Sequence, residues 1–184
     1  MRHRHIHKKL LFILLNLLFA IGMLVGCSQT GTKNTNEQVI HKVLELQFSG
    51  PDKEFMDAMW NLENKNIVNG TEENEVFDRY VREVYGEYFT VSELEPFMRA
   101  FGTQYPSTAH SNDYKLELKD VSIEQTEEAG NRYEFIAQIG FQKSGGKEET
   151  AKVEGTIFFS TKEEGKIGRF QYSKDESLME SLSR

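Results

Sequence analysis

The sequence predicts an α+β domain in which N-terminal helices pack on one face of a C-terminal antiparallel sheet of about four strands. Three observations predict it. Apolar residues recur at helical spacing up to Gly102, the period changes to two from Tyr114 onwards, and the period-two segments are joined by short acidic or glycine-rich turns.

From Glu37 to Phe48, Val39, Ile40, Val43, Leu44 and Gln47 mark one helical face. Ser49-Gly50-Pro51-Asp52 breaks it and starts a second helix, with Phe55, Met56, Met59, Trp60 and Leu62 as its apolar positions and Asn64 to Gly70 as its stop. Val76, Phe77, Tyr80, Val81, Val84, Tyr85 and Tyr88 form the broadest stripe. Its opposite face sets Glu75 four residues before Arg79 and Asp78 four before Arg82, the spacing of helix ion pairs. Ser92 to Glu95 has the capping-box pattern and opens a fourth helix that Leu94, Phe97, Met98 and Phe101 carry to Gly102. Thr103 to Asn112, with Pro106 and small polar residues, reads as an irregular connection.

The first strand holds Tyr114, Leu116 and Leu118, then Val121 and Ile123 after a parity change that implies a bulge near Lys119 and Asp120. Tyr133, Phe135, Ala137, Ile139 and Phe141 alternate without a break, as do Ala151, Val153, Gly155, Ile157 and Phe159. A weaker strand runs from Lys166 to Tyr172. Glu127 to Asn131, Ser144 to Lys147 and Glu163 to Gly165 supply the turns, so the strands form a meander with one packed and one wet face. Residues 173–184 read as a polar tail in which Leu178, Met179 and Leu182 allow one helical turn.

Ahead of this domain, Arg2, Arg4, Lys8 and Lys9 precede an apolar run from Leu10 to Val25 broken only by Asn16 and Gly22. That run is shorter than the ~20 residues that span a bilayer, and it has the layout of an export signal. It ends in Leu24-Val25-Gly26-Cys27, which contains the only cysteine of the chain.

This tetrad resembles the lipobox of bacterial lipoproteins. The resemblance implies cleavage between Gly26 and Cys27, lipidation of the Cys27 thiol, and a protein held on the extracytoplasmic face of the cell membrane by acyl chains. The alternative is an uncleaved anchor with an inert Cys27. On the lipoprotein reading, residues 1–26 are the signal peptide, 27–36 the lipidated cysteine and a flexible polar tether, 37–172 a single α+β domain, and 173–184 the tail.

Removing the signal takes four of the 22 basic residues and none of the 29 acids, leaving 18 against 29, a formal net charge of −11. Such a surface repels phosphate backbones, so nucleic acid is not an expected partner. With Cys27 committed to lipid, no thiol remains for a disulfide or a thiolate metal site, and His41 and His110 are the only imidazoles left.

Helices followed by a curved four-stranded sheet, over Glu37 to Tyr172, resemble the NTF2-like (cystatin-like) domains. That resemblance implies a cone between sheet and helices, used by some members for acid-base catalysis and by others only for binding. The acid-base candidates in this chain are His110 and Asp113, because a carboxylate beside an imidazole orients it and raises its pKa, with Ser111 nearby. The same residues suit a polar turn. His41 and Glu45 lie four apart on the first helix, too few ligands for zinc, and the paired glutamates lack EF-hand spacing.

Tyr133, Phe135, Phe141 and Phe159, with Trp60, Tyr80 and Tyr85, are candidates for the lining of an apolar pocket or for core. No cofactor is expected. The chain therefore predicts a membrane-anchored binding domain for a small apolar ligand or an envelope protein partner. The alternatives are a small NTF2-like enzyme using His110 or Asp113 and a structural accessory of an envelope complex.

Overall fold

A computed structural model describes residues 35–126 and 129–184. The signal segment, Gly26, Cys27, most of the tether and the Glu127-Glu128 pair lie outside the described residues.

The first helix, α1 (Thr35–Phe48), starts two residues inside the expected tether and buries Ile40, Val43, Leu44, Gln47 and Phe48 along one face. After a cis Gly50–Pro51 bond, α2 (Lys53–Trp60) is capped by Asp52, whose carboxylate accepts the Phe55 N–H at 2.7 Å. A hairpin that the sequence reading did not contain follows, β1 (Asn66–Val68) and β2 (Thr71–Glu73). Its turn residues Asn69 and Gly70 have φ of 53° and 82°, the left-handed pair that a two-residue hairpin turn needs. The next helix, α3 (Glu75–Tyr85), is capped by the Asn74 carbonyl, and the Asn74 amide donates to Ala58 O at 2.9 Å, tying α3 to α2.

Helix α4 (Val91–Phe97) begins after Thr90 and widens into a π-turn over Met98–Gly102. Pro96 has no N–H to continue the regular ladder, which gives the widening a local cause. The expected Ser92–Glu95 capping box is not used, because the helix starts two residues earlier with Thr90 as its N-cap and Glu95 pairs with Arg99; Glu93 Oε1 accepts the Phe170 N–H at 3.0 Å. Where an irregular connection was expected there is α5 (Gln104–Ser111), with Tyr105, Pro106 and Ala109 buried on one face. Pro106 sits in its first turn, where a missing N–H costs little.

Strands β3 (Tyr114–Gln125), β4 (Arg132–Lys143), β5 (Glu148–Phe159) and β6 (Ile167–Asp175) form an antiparallel meander in sequence order. The bulge falls between Leu118 and Asp120, as the parity change predicts. One face is apolar: Leu116, Tyr133, Phe135, Ile139, Phe141, Val153, Ile157, Phe159, Ile167 and Phe170 pack with the helices in a single core. Phe135 stands opposite Gly155, where an added Cβ would lie 2.4 Å from the ring, so the glycine makes room for the aromatic. The other face is charged, with Lys119 between Glu117 and Glu148 and Lys174 beside Glu154.

Both sheet edges are partly covered. Gly50 bridges Leu116 on β3, while Thr90 and Tyr88 exchange hydrogen bonds with Ile167 on β6. The segment expected as a tail continues β6 to Asp175 and then forms α6 (Leu178–Leu182), in which Leu178 and Leu182 are fully buried. The domain therefore includes these residues. Asp175 explains why: its carboxylate accepts the N–H groups of Leu178 and Met179 and the Tyr105 hydroxyl at 2.8 Å, linking the last helix to α5.

Candidate binding site

A groove of about 660 Å³ lies between α3 and the α4–π-turn segment. Its floor is apolar, with Val81, Phe89 and Met98 buried, Phe77 and Leu94 partly so, and Val91 standing at the lip. Asp78, Arg82, Glu95 and Arg99 form the rim. Arg99 pairs with Glu95 one turn away. The expected Asp78–Arg82 and Glu75–Arg79 pairs are not formed, consistent with the few tenths of a kcal/mol such exposed pairs contribute. Among the described residues Arg82 makes no ion pair, and it lies beside an apolar channel. Both the volume and the mix of apolar floor and few polar groups match what small-molecule and peptide sites use.

A second cavity of about 150 Å³ lies where α1, the Gly50–Pro51 bond and α2 meet, lined in part by Gln47, Asp52, Tyr80, Tyr85 and Leu116. Gln47 is buried, and its amide donates to Tyr85 Oη and to Gly102 O, each at 3.1 Å. Tyr80 donates to Asp52 at 3.4 Å. Burial, then the charges of Asp52 and Glu54, push the Tyr80 hydroxyl up to about 12, and burial pushes Tyr85 higher against the opposing hydrogen bond from Gln47. Neither phenol ionises near neutral pH, so both act as neutral hydrogen-bonding groups that hold α1, α2 and α3 together. A cavity of this size holds at most a benzene-sized group.

His110 is exposed at the end of α5 and lines neither concavity. Asp113 is exposed in a left-handed conformation (φ 58°), with its N–H donating to His110 O at 3.4 Å and its carbonyl accepting from Ser144 N at 2.9 Å. These bonds make Asp113 part of the turn into β3, and its side chain borders only a shallow open depression. On α1, Glu45 pairs with Lys42 at 2.9 Å. Among the described residues, no cluster of three or more His, Cys, Asp or Glu side chains is arranged to hold a metal ion.

Tyr133, Phe135, Phe141 and Phe159 are core, and Trp60 is 48% exposed at the end of α2. Of the aromatic set, Tyr80 and Tyr85 alone reach the small cavity. The groove residues Arg82, Val91, Leu94 and Met98 were not singled out as a site from sequence. The available signal was Val91, an apolar residue at the start of α4 and outside its buried stripe.

No protein-family model matches the chain, and no curated protein matches it. Among solved structures the chain is similar to a candidate polyketide cyclase from Xanthomonas campestris pv. campestris, at 13% identity and a TM-score of 0.32, over 82% of this chain and 98% of that one. A likeness at that TM-score carries neither a fold assignment nor an activity to this chain.

Proposed function

We propose that this chain is an extracytoplasmic lipoprotein, held to the cell membrane through a lipidated Cys27, whose domain binds a partner in the α3–α4 groove without catalysis. The order of basic residues, apolar run, lipobox and sole cysteine supports the anchor. Two acyl chains at ~0.8 kcal/mol per buried CH₂ make such attachment long-lived. The groove, with its apolar floor and Arg82 on its rim, is the observation that carries the binding role. Helices followed by a four-stranded meander support reading the domain as NTF2-like.

Two measurements test the two halves. Cys27→Ala is expected to abolish acyl labelling and to release or misprocess the chain, and a variant that stays processed and membrane-bound defeats the anchor. Leu94→Arg places a charge in the groove and is expected to remove the partner recovered by crosslinking in cells. Unchanged recovery by a folded Leu94→Arg protein rejects the groove.

A further inference from the structure

Gln47 stands on α1 with 1% of its surface exposed and lines the small cavity where α1, the Gly50–Pro51 bond and α2 meet. Its amide nitrogen donates to Tyr85 Oη and to Gly102 O, each at 3.1 Å. Those two bonds fix which way the amide points, because the reversed amide sets its oxygen against the Gly102 carbonyl, which can only accept. Gln47 Oε1 is then a buried acceptor to which no described residue donates. Tyr85 supplies the complementary group. Its oxygen accepts from Gln47, burial keeps the phenol protonated, and among the described residues no acceptor takes its proton. An acceptor and a donor left unmatched in the interior each cost free energy that a ligand can return.

The cavity is larger and more apolar than a single water needs. Its volume is about 150 Å³, whereas one water needs ~10–15 Å³ by the same measure. Leu46, Pro51, Phe55, Pro106 and Leu116 supply its apolar wall. Of the other polar side chains around it, Tyr80 donates to Asp52 and Glu45 pairs with Lys42. Gln47 Oε1 and the Tyr85 hydroxyl therefore set the ligand chemistry. Since the Gln47 amide bonds Tyr85 directly, acceptor and donor lie side by side, within reach of one ligand oxygen.

We propose that this cavity binds a small neutral alcohol, with an apolar body of benzene size or less, whose hydroxyl donates to Gln47 Oε1 and accepts from Tyr85 Oη. A hydroxyl satisfies both groups at once. An ammonium only donates and leaves the Tyr85 proton unmatched. A carboxylate only accepts, leaves Gln47 Oε1 unmatched, and meets Asp52 and Glu45 against the single Lys42. The site shares no lining residue with the α3–α4 groove, so it stands or falls apart from the groove.

The test is titration of the full-length chain in detergent micelles, labelled with nitrogen-15 at glutamine, with cyclopentanol, cyclopentanone and cyclopentylammonium. The three carry the same carbon ring and differ in whether they donate, accept or do both. Cyclopentanol is expected to shift the Gln47 side-chain amide saturably, with a dissociation constant in the millimolar range that so few atoms supply. The ketone and the ammonium are expected to bind at least about tenfold more weakly, the factor that one unmatched buried group brings. Tyr85→Phe removes the donor and is expected to weaken cyclopentanol by a similar factor. Equal binding of the three, or undiminished cyclopentanol binding by a folded Tyr85→Phe chain, overturns the proposal. No saturable shift at Gln47 with cyclopentanol also overturns it and leaves the cavity a water site. Where Tyr85→Phe fails to fold, the three-ligand series on the unmutated chain decides alone.

Discussion

Asp175→Ala tests whether the last ten residues belong to the fold. The Asp175 carboxylate caps α6 through Leu178 N at 2.5 Å and Met179 N at 3.2 Å, and accepts the Tyr105 hydroxyl at 2.8 Å. Losing the cap costs about 1 kcal/mol. Tyr105 is 3% exposed, so its hydroxyl is left without an acceptor in the interior, a further ~2 kcal/mol. The sum, about 3 kcal/mol, is a large fraction of the ~5–15 kcal/mol that holds such a domain together. With a urea slope of ~2 kcal/mol/M it lowers the midpoint by about 1.5 M. The assay is equilibrium urea unfolding followed by far-ultraviolet circular dichroism, repeated in a Tyr105→Phe background. There the buried hydroxyl is absent and the same substitution is expected to cost only the cap, about 1 kcal/mol. A loss below ~0.5 kcal/mol in the native background, or equal losses in both, refutes the reasoning and returns these residues to a frayed tail.

Burial raises the pKa of Glu93, against the opposing hydrogen bond from Phe170 N and the charge of Arg169. A carboxyl raised on folding binds its proton more tightly in the native state, so its contribution falls as pH rises from its unfolded pKa through its folded one. Glu93→Gln keeps an acceptor for Phe170 and is expected to flatten stability in mildly acidic solution, whereas an unaltered slope in urea midpoints against pH rejects the assignment. Gly155→Ala drives a Cβ against the Phe135 ring and, at 2.5 Å, Gln171 O. It is expected to cost about 1–3 kcal/mol by thermal or chemical unfolding, and a neutral effect means that β4 and β5 are not packed this way. Gly70→Val strains a residue at φ 82° in a hairpin exposed throughout. It should leave the unfolding midpoint nearly unchanged, and a global loss above ~2 kcal/mol shows instead that the hairpin is part of the core.

The sheet was legible because its signal is local and repeated. Tyr133 to Phe141 and Ala151 to Phe159 each place five core positions at period two, and the parity change at Lys119 located the bulge before any partner strand was known. The broad stripe of α3 was legible for the same reason. Helix α5 was hidden because Thr103 to Asn112 offers only Tyr105, Pro106 and Ala109 as apolar residues among side chains that favour turns. Its helical state is supported from outside, by Tyr105 packing on Phe48 with ring centroids 5.1 Å apart and bonding Asp175, 70 positions away.

The hairpin carried its Asn69-Gly70 signal, yet three-residue arms are too short to show alternation. In α6, Leu178 and Leu182 have helical spacing, but their burial depends on the Asp175 cap and the α5 contact. Glu93 makes a contact that no local pattern reports. Its carboxylate satisfies an edge-strand N–H on β6, a donor that exists only once the meander has formed. The groove is the extreme case, since a buried stripe reports the residues a helix turns inward, whereas Arg82 and Val91 become a site only because α3 and α4 leave a channel between them. Periodicity therefore reveals each element's contribution to the core and is silent on the surfaces two elements make together, which is where this chain's binding chemistry is proposed to lie.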